Sequence, residues 1–309
     1  MTSTSSQGPV GRFAPSPSGS LHLGNLRTAL LAWCVAKGRG GQLLLRMEDL
    51  TTGAAPLAEA EQIADLALLG IEFDGQMLRQ SERSQRYDSV IAELTRQGLT
   101  YECYCTRKEI AEASAAPHGR VNAYPGTCRD LSVSAREQLH SAGRRPAIRI
   151  KAASSVVTFV DEFAGEHSAV VDDFVLQRGD GLAAYNFAVV IDDADSGVDQ
   201  VVRGDDLIES TSRQILLQQM LGFPRPTYIH VPLVLGTDGQ RLSKRHGSVG
   251  LGDQLRNGAD PGRVRGLLAA SIGIPVEEET IEMHEILRAF DLDMVPREAW
   301  ILDPNSIKW

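Results

Sequence analysis

The sequence lacks long apolar segments, an excess of positive charge and any recognisable export signal. Among its 309 residues, no apolar run approaches the length of about 20 residues that a membrane helix needs, so we expect no membrane span. The first nine residues contain no basic or long apolar stretch, so we expect no signal peptide. The formal net charge of −9 means that any nucleic-acid-binding surface must be a local basic patch.

Cysteine is also scarce, with four in the chain. Three of them, Cys103, Cys105 and Cys128, lie close together, whereas Cys34 lies on the apolar face of a predicted helix and is expected to belong to the core. This distribution indicates a reduced protein with a metal site more than a disulfide framework. We therefore expect a cytoplasmic protein.

The two common nucleotide-binding fingerprints, GxGxxG and GxxxxGK[ST], are absent from the loop that dominates the first part of the chain. This loop, RFAPSPSGSLHLGN at residues 12–25, follows a short apolar strand near Val10–Ala14. It brings His22 and Gly24 to the start of a helix whose apolar residues recur at helical spacing. A strand, a glycine-bearing turn and a helix N-terminus together form an anion-binding device, because free backbone N–H groups point at one place.

Strand and helix patterns alternate through the first hundred residues. The apolar run Gln42–Met47 predicts a buried parallel strand, and Glu48 and Asp49 follow it at the end where open α/β sheets bind ligands. Helical patterns begin near Pro56 and cover about Ser84–Gln97. The order β-α-β-α-α is half of a nucleotide-binding fold.

The composition changes after Tyr101. Residues 103–130 are irregular, and short strand-like runs follow at 147–151 and 156–160. We interpret residues 101–177 as an insertion between two halves of one domain. The resulting division is a split catalytic domain at 8–100 and 178–250, an inserted subdomain at 101–177 and a C-terminal helical segment at 251–309.

The second half resumes the α/β pattern. Strands are predicted at Leu182–Asp193 and Val198–Arg203, and Tyr228–Leu235 is predicted to be the last strand. Ser210 or Thr211 is predicted to cap the helix that lies between the strands Val198–Arg203 and Tyr228–Leu235. A glycine-flanked loop at 236–250 and two or three helices complete the chain.

Two motifs in this framework identify a resemblance. His22-Leu23-Gly24-Asn25 resembles the "HIGH" signature of class I aminoacyl-tRNA synthetases, and the longer phrase RFAPSPSGSLHLGNLRTAL resembles the glutamyl branch. The second signature of that class, "KMSKS", is similar to the segment Arg241–Arg245. The stretches LLLRMED, RQSERSQRY, YNFAVVIDD and VVRGDDL extend the resemblance over nearly the whole chain.

The resemblance implies an α/β fold: a Rossmann-like, parallel-sheet class I synthetase catalytic domain with an inserted zinc-bearing α+β subdomain and a C-terminal helical segment. Glutamyl-tRNA synthetases continue with a helical anticodon-binding region beyond a segment like DPNSIKW, where this sequence stops. In this it is similar to their short paralogues, the glutamyl-queuosine tRNA(Asp) synthetases. The implied reaction is ATP-dependent activation of L-glutamate and its transfer to queuosine in the anticodon loop of tRNA(Asp). A cytoplasmic monomer is expected.

The same resemblance assigns the site residues. His22 and Lys244 are the implied catalytic residues, and ATP with magnesium is expected at His22, Gly24, Asn25 and Lys244. The implied glutamate pocket consists of Arg12, Phe13, Ala14, Pro15, Ser16, Glu48, Tyr185 and Arg203. Arginines suit the distal carboxylate and an acid suits the ammonium group. The alternative is that Glu48 and Arg203 form only a structural salt bridge.

Three thiolates at Cys103, Cys105 and Cys128 leave one ligand vacancy in a tetrahedral zinc site. His118 is the chemically obvious fourth ligand, because a tyrosine phenol is rarely ionised near neutral pH. However, the pattern CxC…YxxxC resembles the zinc site of the queuosine enzymes, which implies Tyr124. The expected cofactor is one structural zinc, and the alternative is three reduced thiols without a metal.

Other functions compatible with the motifs are a truncated or discriminating glutamyl-tRNA synthetase that charges the tRNA 3′ end, a non-catalytic RNA-binding relative, and a nucleotidyltransferase of the wider "HIGH" superfamily. Chain length and the YxxxC pattern argue against the first. The presence of His22, Glu48, Arg203 and Lys244 together argues against the second, and the predicted glutamate pocket argues against the third.

Overall fold

A computed structural model of the chain describes residues 8–51, 56–114, 124–242, 251–252, 258–276 and 280–303. The strands are Val10–Phe13 (β1), Gln42–Met47 (β2), Leu78–Arg79 (β3), Thr100–Cys103 (β4), Ala147–Ile150 (β5), Val156–Asp161 (β6), Gly165–Val170 (β7), Val175–Gln177 (β8), Gln200–Gly204 (β9), Thr227–Val231 (β10), Val234–Gly236 (β11) and Trp300–Leu302 (β12). The helices are Leu23–Gly38 (α1), Pro56–Leu68 (α2), Ser84–Arg96 (α3), Arg107–Ser114 (α4), Val133–Ser141 (α5), Tyr185–Asp195 (α6), Ile208–Leu221 (α7), Pro261–Ser271 (α8) and Met283–Ala289 (α9).

A parallel sheet of five strands, in the order β10-β9-β1-β2-β3, forms the centre of the molecule. The strands are short and are connected through helices, as parallel pairing requires. Because all five run in the same direction, their carboxyl ends lie at one edge. The loop after β1, the residues after β2 and the end of β9 therefore converge there, as the sequence pattern predicts.

The two faces of this sheet are buried in different apolar clusters. Leu43 and Val202 belong to the cluster around α1, whereas their neighbours Leu44 and Val201 pack in the cluster around α3, α6 and α7. This alternation follows from the two-residue period of a strand. Burial on both faces explains why β2 is apolar except at Gln42 and Arg46 and shows no regular polar alternation in sequence.

The region between α3 and α6, which is predicted to be an insertion and is called the inserted region here, has mixed structure. It contains the antiparallel sheet β4-β5-β8 and the hairpin β6–β7. Beyond the central sheet, β12 pairs in parallel with β11, and α8 and α9 pack near α1. The domain boundaries given above remain a prediction. None of the helices within the described ranges has both the length and the apolar character needed to cross a lipid bilayer.

The prediction of a strand at Leu182–Asp193 is wrong, because this segment begins with an isolated bridge at Ala183 and continues as α6. Phe187 to Asp193 are consecutively buried. A helix that is surrounded by protein on all sides loses the 3.6-residue apolar pattern, so its sequence looks like that of a buried strand.

Two further predictions in this half need correction. The single strand expected at Tyr228–Leu235 is divided into β10 and β11, and β12 follows later, so it is not the last strand. Helix α7 begins at Ile208, one turn before the predicted cap. Thr211 lies inside the helix, where its hydroxyl donates to the Leu207 carbonyl over 3.1 Å instead of capping a free N–H group.

Arg27 stabilises the packing of α1 within this core. Its side chain is 1 % exposed, and its guanidinium donates to the carbonyls of Pro232, over 2.7 Å, and Ser271, over 3.3 Å. It thus joins α1 to the segment after β10 and to the end of α8.

We expect Arg27→Leu to lower the free energy of unfolding, by about 1–3 kcal/mol for each buried carbonyl left without a donor. Chemical denaturation by urea provides the measurement. Arg96→Leu is the matched control, because the Arg96 side chain is 72 % exposed, and a change within about 0.5 kcal/mol is expected there. Equal effects of the two substitutions would contradict a structural role for the Arg27 hydrogen bonds.

Candidate active site

A cavity of about 1020 Å³ opens at the carboxyl edge of the sheet. It lies over the ends of β1, β2 and β9 and at the N-termini of α1 and α6. The predicted site residues that line it are Arg12, Phe13, Ala14, Pro15, Ser16, His22, Gly24, Asn25, Glu48, Tyr185 and Arg203. Lys244, the remaining predicted residue of this site, lies outside the described residues, although Arg241 and Leu242 of the same motif line the cavity.

Three arginines project from adjacent strands on one side of this site. Arg12 of β1, Arg46 of β2 and Arg203 of β9 are each adjacent in sequence to a residue of the α1 cluster, namely Phe13, Leu45 and Val202, so the strand period turns all three toward the face covered by α6. Their exposed fractions are 4 %, 3 % and 5 %. Three buried like charges require carboxylates nearby.

Asp193 of α6 and Glu48 supply those carboxylates. Asp193 Oδ1 lies 2.5 Å from Arg46 Nη1 and 3.4 Å from Arg12 Nε. Glu48 Oε1 accepts from Arg46 Nη2 over 3.1 Å. Arg203 instead contacts His230 and Thr211. Among the described contacts, the salt bridge between Glu48 and Arg203 considered as an alternative is therefore not formed.

The pKa shifts in this cluster indicate the kind of ligand it favours. Burial lowers the pKa of Arg12, and Arg46 and Arg203 lower it further against the opposing effect of Asp193. Burial raises the pKa of Glu48, although Arg46 and Arg12 oppose that shift. An added carboxylate near Arg12 and an added ammonium near Glu48 would each favour the ionised protein group. The cavity thus suits a small ligand that carries charges of both signs.

Backbone contacts shape the wall of the cavity next to these charges. Glu48 N–H donates to the Pro15 carbonyl over 3.0 Å. Gln62 of α2 donates to the carbonyls of Ser16 and Gly19, over 3.0 and 2.5 Å, and so fixes the loop after β1. Tyr185 is the first residue of α6 and extends into the cavity from the opposite side.

His22 also lines the cavity and is the N-cap of α1. Its Nδ1 accepts from Asn25 N–H over 3.2 Å, and the Asn25 side chain accepts from His22 N–H over 3.2 Å. This capping box requires a lone pair on Nδ1, so the imidazole proton is on Nε2. Burial, reinforced by Arg241, lowers the pKa of His22 to about 4. The ring is therefore a neutral hydrogen-bond donor near pH 7.

The three predicted cysteine ligands form a compact cluster in the inserted region. Their sulfur atoms all lie within 4.8 Å of one another, and those of Cys105 and Cys128 are 3.4 Å apart. The Tyr124 hydroxyl lies 3.3 Å from Cys103 Sγ and 3.7 Å from Cys105 Sγ. His118, the other predicted fourth ligand, lies outside the described residues.

Sequence reasoning missed Arg46, Gln62 and Asp193 as site residues. A signal existed for two of them, because Arg46 interrupts an apolar run and Asp193, together with Asp192, directly follows one. A buried charge needs a partner, which marks such positions. Nothing local in the sequence singles out Gln62.

Comparison with known proteins identifies the family. The model of the class I tRNA synthetase catalytic domain for glutamate and glutamine (E and Q) matches residues 10–309. The chain belongs to this family. It is therefore a synthetase-type ligase with the parallel-sheet α/β fold of class I catalytic domains, and the predicted enzyme class is confirmed.

Individual proteins of this family differ in how closely they match this class I synthetase chain. It is 53 % identical to a glutamyl-Q tRNA(Asp) synthetase of Nocardia farcinica, over 97 % of this chain and 95 % of that protein. It is 39 % identical to a glutamate–tRNA ligase of Nitrosospira multiformis, over 96 % of this chain and 64 % of the ligase. The crystal structure of a glutamate tRNA ligase of Elizabethkingia meningosepticum in complex with its amino acid superimposes with a TM-score of 0.81 at 28 % identity, over 96 % and 67 % of the two chains. The predicted resemblance to the short glutamyl-Q enzymes is confirmed.

Gly24 provides a test of the His22 geometry. A Cβ atom added there would lie 3.0 Å from His22 Cε1 and Nδ1, so the imidazole would have to move. We expect Gly24→Ala to lower the melting temperature only slightly, because the helix preference of alanine opposes the loss of the His22 cap and the close approach of the new Cβ atom to Val234 Cβ, at 3.3 Å. We expect glutamate-dependent ATP–pyrophosphate exchange to fall by about 10- to 100-fold, because small misplacements of a positioned group have effects of that size.

The control for this substitution is Gly38→Ala at the other end of α1. A Cβ atom at Gly38 would meet nothing closer than Leu287, at 3.9 Å. Exchange in this variant should equal that of the unmodified protein. A Gly24→Ala variant with full exchange activity would show that the position of the His22 ring is not critical.

Proposed function

We propose that this chain activates L-glutamate with ATP and transfers the glutamyl group to queuosine in the anticodon loop of tRNA(Asp). The observation that carries the proposal is the cavity in which Arg12, Arg203, Glu48 and Tyr185 lie close to the helix start at His22. In this proposal, glutamate binds among the first four residues and the α-phosphate of ATP lies toward His22.

The amino-acid end of the cavity supports glutamate. Arg12 and Arg203 are proposed to hold its carboxylates, because guanidinium groups pair well with them. Glu48 is proposed to accept from its ammonium group, with Tyr185 and Ser16 completing the pocket and Phe13, Ala14 and Pro15 shaping its wall. Glutamine would leave a buried guanidinium without its counter-charge, which favours glutamate by the cost of that unpaired group.

The nucleotide end supports attack of the glutamate carboxylate on the α-phosphorus of ATP, with pyrophosphate as the leaving group. Charge develops on the phosphate oxygens in that step, and donors fixed in advance stabilise it. His22 is proposed to donate from Nε2, and Gly24 and Asn25 to line the ATP site. Lys244 and the magnesium that accompanies ATP are proposed to supply the positive charge. These roles are carried over from the two signature motifs.

The choice of acceptor rests on the relatives. The glutamyl-Q tRNA(Asp) synthetase of Nocardia farcinica matches at 53 % identity over 95 % of its length. The glutamate–tRNA ligase matches less closely, at 39 % identity over 64 % of its length. The reaction that the first name describes is therefore the better proposal for this chain. Charging of the tRNA 3′ end is the second candidate, because the solved structures that superimpose on this chain include glutamate tRNA ligases.

The acceptor is tested with radiolabelled glutamate, ATP and tRNA(Asp) that carries either queuosine or unmodified guanosine. We expect label only on the queuosine form. Ribonuclease digestion should place the label in the anticodon-loop fragment and not on the terminal adenosine. Labelling of both forms, or of tRNA(Glu) at its 3′ end, would favour the second candidate.

The cysteine cluster supports one structural zinc. Zinc–sulfur bonds of about 2.3 Å in a tetrahedron separate the sulfurs by about 3.8 Å, and the sulfurs of Cys103, Cys105 and Cys128 lie within 4.8 Å. Hydrogen bonds from Tyr124 and Arg149 outweigh the effect of burial and lower the pKa of Cys103, which favours the thiolate that zinc needs. These residues therefore fit the ion, whose role would be to join the segments around β4 and Tyr124.

Tyr124 is the proposed fourth ligand. Burial and Cys103 raise the pKa of Tyr124, so in the absence of a cation the phenol keeps its proton. A bound zinc would reverse this preference. The Arg149 guanidinium, 3.8 Å from the centre of the Tyr124 ring, also favours the phenolate.

We expect purified protein to contain one zinc per chain by elemental analysis. Tyr124→Phe should lose zinc to a chelator at least about 10-fold faster, because it removes one of four ligands. Tyr104→Phe is the matched control, since Tyr104 packs in the same cluster but its hydroxyl bonds to Glu102. Zinc that is retained in Tyr124→Phe and lost in His118→Ala would assign the fourth position to His118.

A further inference from the structure

Arg203 lines the cavity and is also hydrogen-bonded to a buried chain of polar groups that do not line it. No step of the proposed reaction uses these groups. Arg203 Nε donates to His230 Nε2 over 3.0 Å, and Arg203 Nη2 donates to Thr211 Oγ1 over 2.8 Å. His230 Nδ1 lies 2.6 Å from Asp161 Oδ2. His230 and Asp161 are each 1 % exposed.

These contacts define the protonation state of His230. A guanidinium can only donate, so His230 Nε2 must present a lone pair to Arg203. The ring proton is then on Nδ1, where it donates to the Asp161 carboxylate. Burial, together with Arg203 and His167, lowers the pKa of His230 against the opposing effect of Asp161. A neutral ring with this one tautomer satisfies both neighbours.

Asp161 is itself fixed in orientation by the backbone. Its Oδ1 accepts from the N–H groups of Phe163, over 3.0 Å, and Ala164, over 2.7 Å, and the N–H of His230 is shared between Oδ1, at 3.1 Å, and Oδ2, at 3.2 Å. Oδ2 is thereby left facing the imidazole. Asp161 ends β6 in the inserted region, whereas His230 lies on β10 and is the register partner of Arg203 on β9.

We propose that Asp161 and His230 are positioning residues that set the tautomer of the imidazole and thereby orient Arg203 toward the amino-acid end of the cavity. Two of the three guanidinium nitrogens are committed to His230 and Thr211. Nη1 makes no hydrogen bond to another described residue and is the atom available for a ligand carboxylate. The inference rests on the proposed function in assigning that carboxylate to glutamate, but the orientation of Arg203 does not depend on the assignment.

Asp161→Asn is the substitution that separates this role from simple packing. The N–H groups of Phe163 and Ala164 keep an oxygen at the Oδ1 position, because an amide NH₂ there would face two donors, so the new NH₂ faces His230 Nδ1. The ring must then accept at Nδ1 and carry its proton on Nε2, where it meets the Arg203 N–H donor. We expect the KM for glutamate to rise by about 10-fold or more, as for loss of a hydrogen bond to a charged group, with the KM for ATP unchanged.

Asp173→Asn is the matched control. Asp173 is also in the inserted region and 1 % exposed, and it accepts from Tyr101, Ala152 and Arg129 without contacting Arg203. We expect it to lower the melting temperature to a similar extent and to leave the KM for glutamate unchanged. An equal rise of that KM in both variants would overturn the proposal, because it would show a general effect of destabilising the insertion.

A double variant tests whether Asp161 acts through His230. His230→Phe removes both ring nitrogens and should also raise the KM for glutamate. Asp161→Asn should then add no further rise in the His230→Phe background, because coupled residues are not additive. Additive effects on KM would overturn the proposal.

The tautomer can be measured without any enzymatic activity. In protein labelled with ¹⁵N-histidine, the imidazole signals that disappear in His230→Phe should show a protonated Nδ1 and an unprotonated Nε2, and Asp161→Asn should exchange the two. A protonated Nε2 in the unmodified protein would overturn the positioning role. Absence of glutamate-dependent exchange in the unmodified protein, with the expected tautomers, would reject the proposed function and retain the orientation of Arg203.

Discussion

The buried contact between Asp193 and the arginines of two adjacent strands is the interaction on which the site depends. Arg12, Arg46 and Arg203 are brought side by side by the strand order and by the two-residue period of each strand. In a poorly solvated interior their mutual repulsion is large unless carboxylates intervene. Asp193 of α6 supplies one of these carboxylates. The contact joins α6, with Tyr185 at its start, to the edge of the sheet, in addition to the apolar packing of the helix.

The same charges give the cavity its chemical character. Arg12, which contacts Asp193 of α6, also lines the cavity, as does Glu48, which binds Arg46. Part of the ion-pair cluster that stabilises the fold therefore also faces the cavity. Burial weakens the ionised forms of Arg12 and Glu48 in the empty site, and a ligand with complementary charges relieves both effects. Fold stability and ligand binding are therefore coupled through one set of ion pairs.

The inserted region contributes to this arrangement from two directions. Asp161 reaches β10 and fixes His230 behind Arg203. Tyr124, next to the cysteine cluster, lines a second cavity of about 290 Å³ to which Tyr185 also contributes. The inserted region is thus linked to the candidate active-site cavity through His230 and Arg203 on one side and through the cavity shared with Tyr185 on the other. A change in the insertion can therefore alter the site without touching a ligand.

The sequence by itself determined the strands at Val10 and Gln42, the loop that leads to His22, and the grouping of three cysteines. These features are local, because apolar runs, turn residues and short spacings fix them without reference to the rest of the chain. The tertiary structure alone decided that 185–195 is a helix, since burial on every side removes the helical pattern from its sequence. It also decided the partners of Arg46 and Arg203, since Asp193 is 147 residues from Arg46 and His230 is 27 from Arg203. Such pairs follow from strand order and register, which local propensities do not encode.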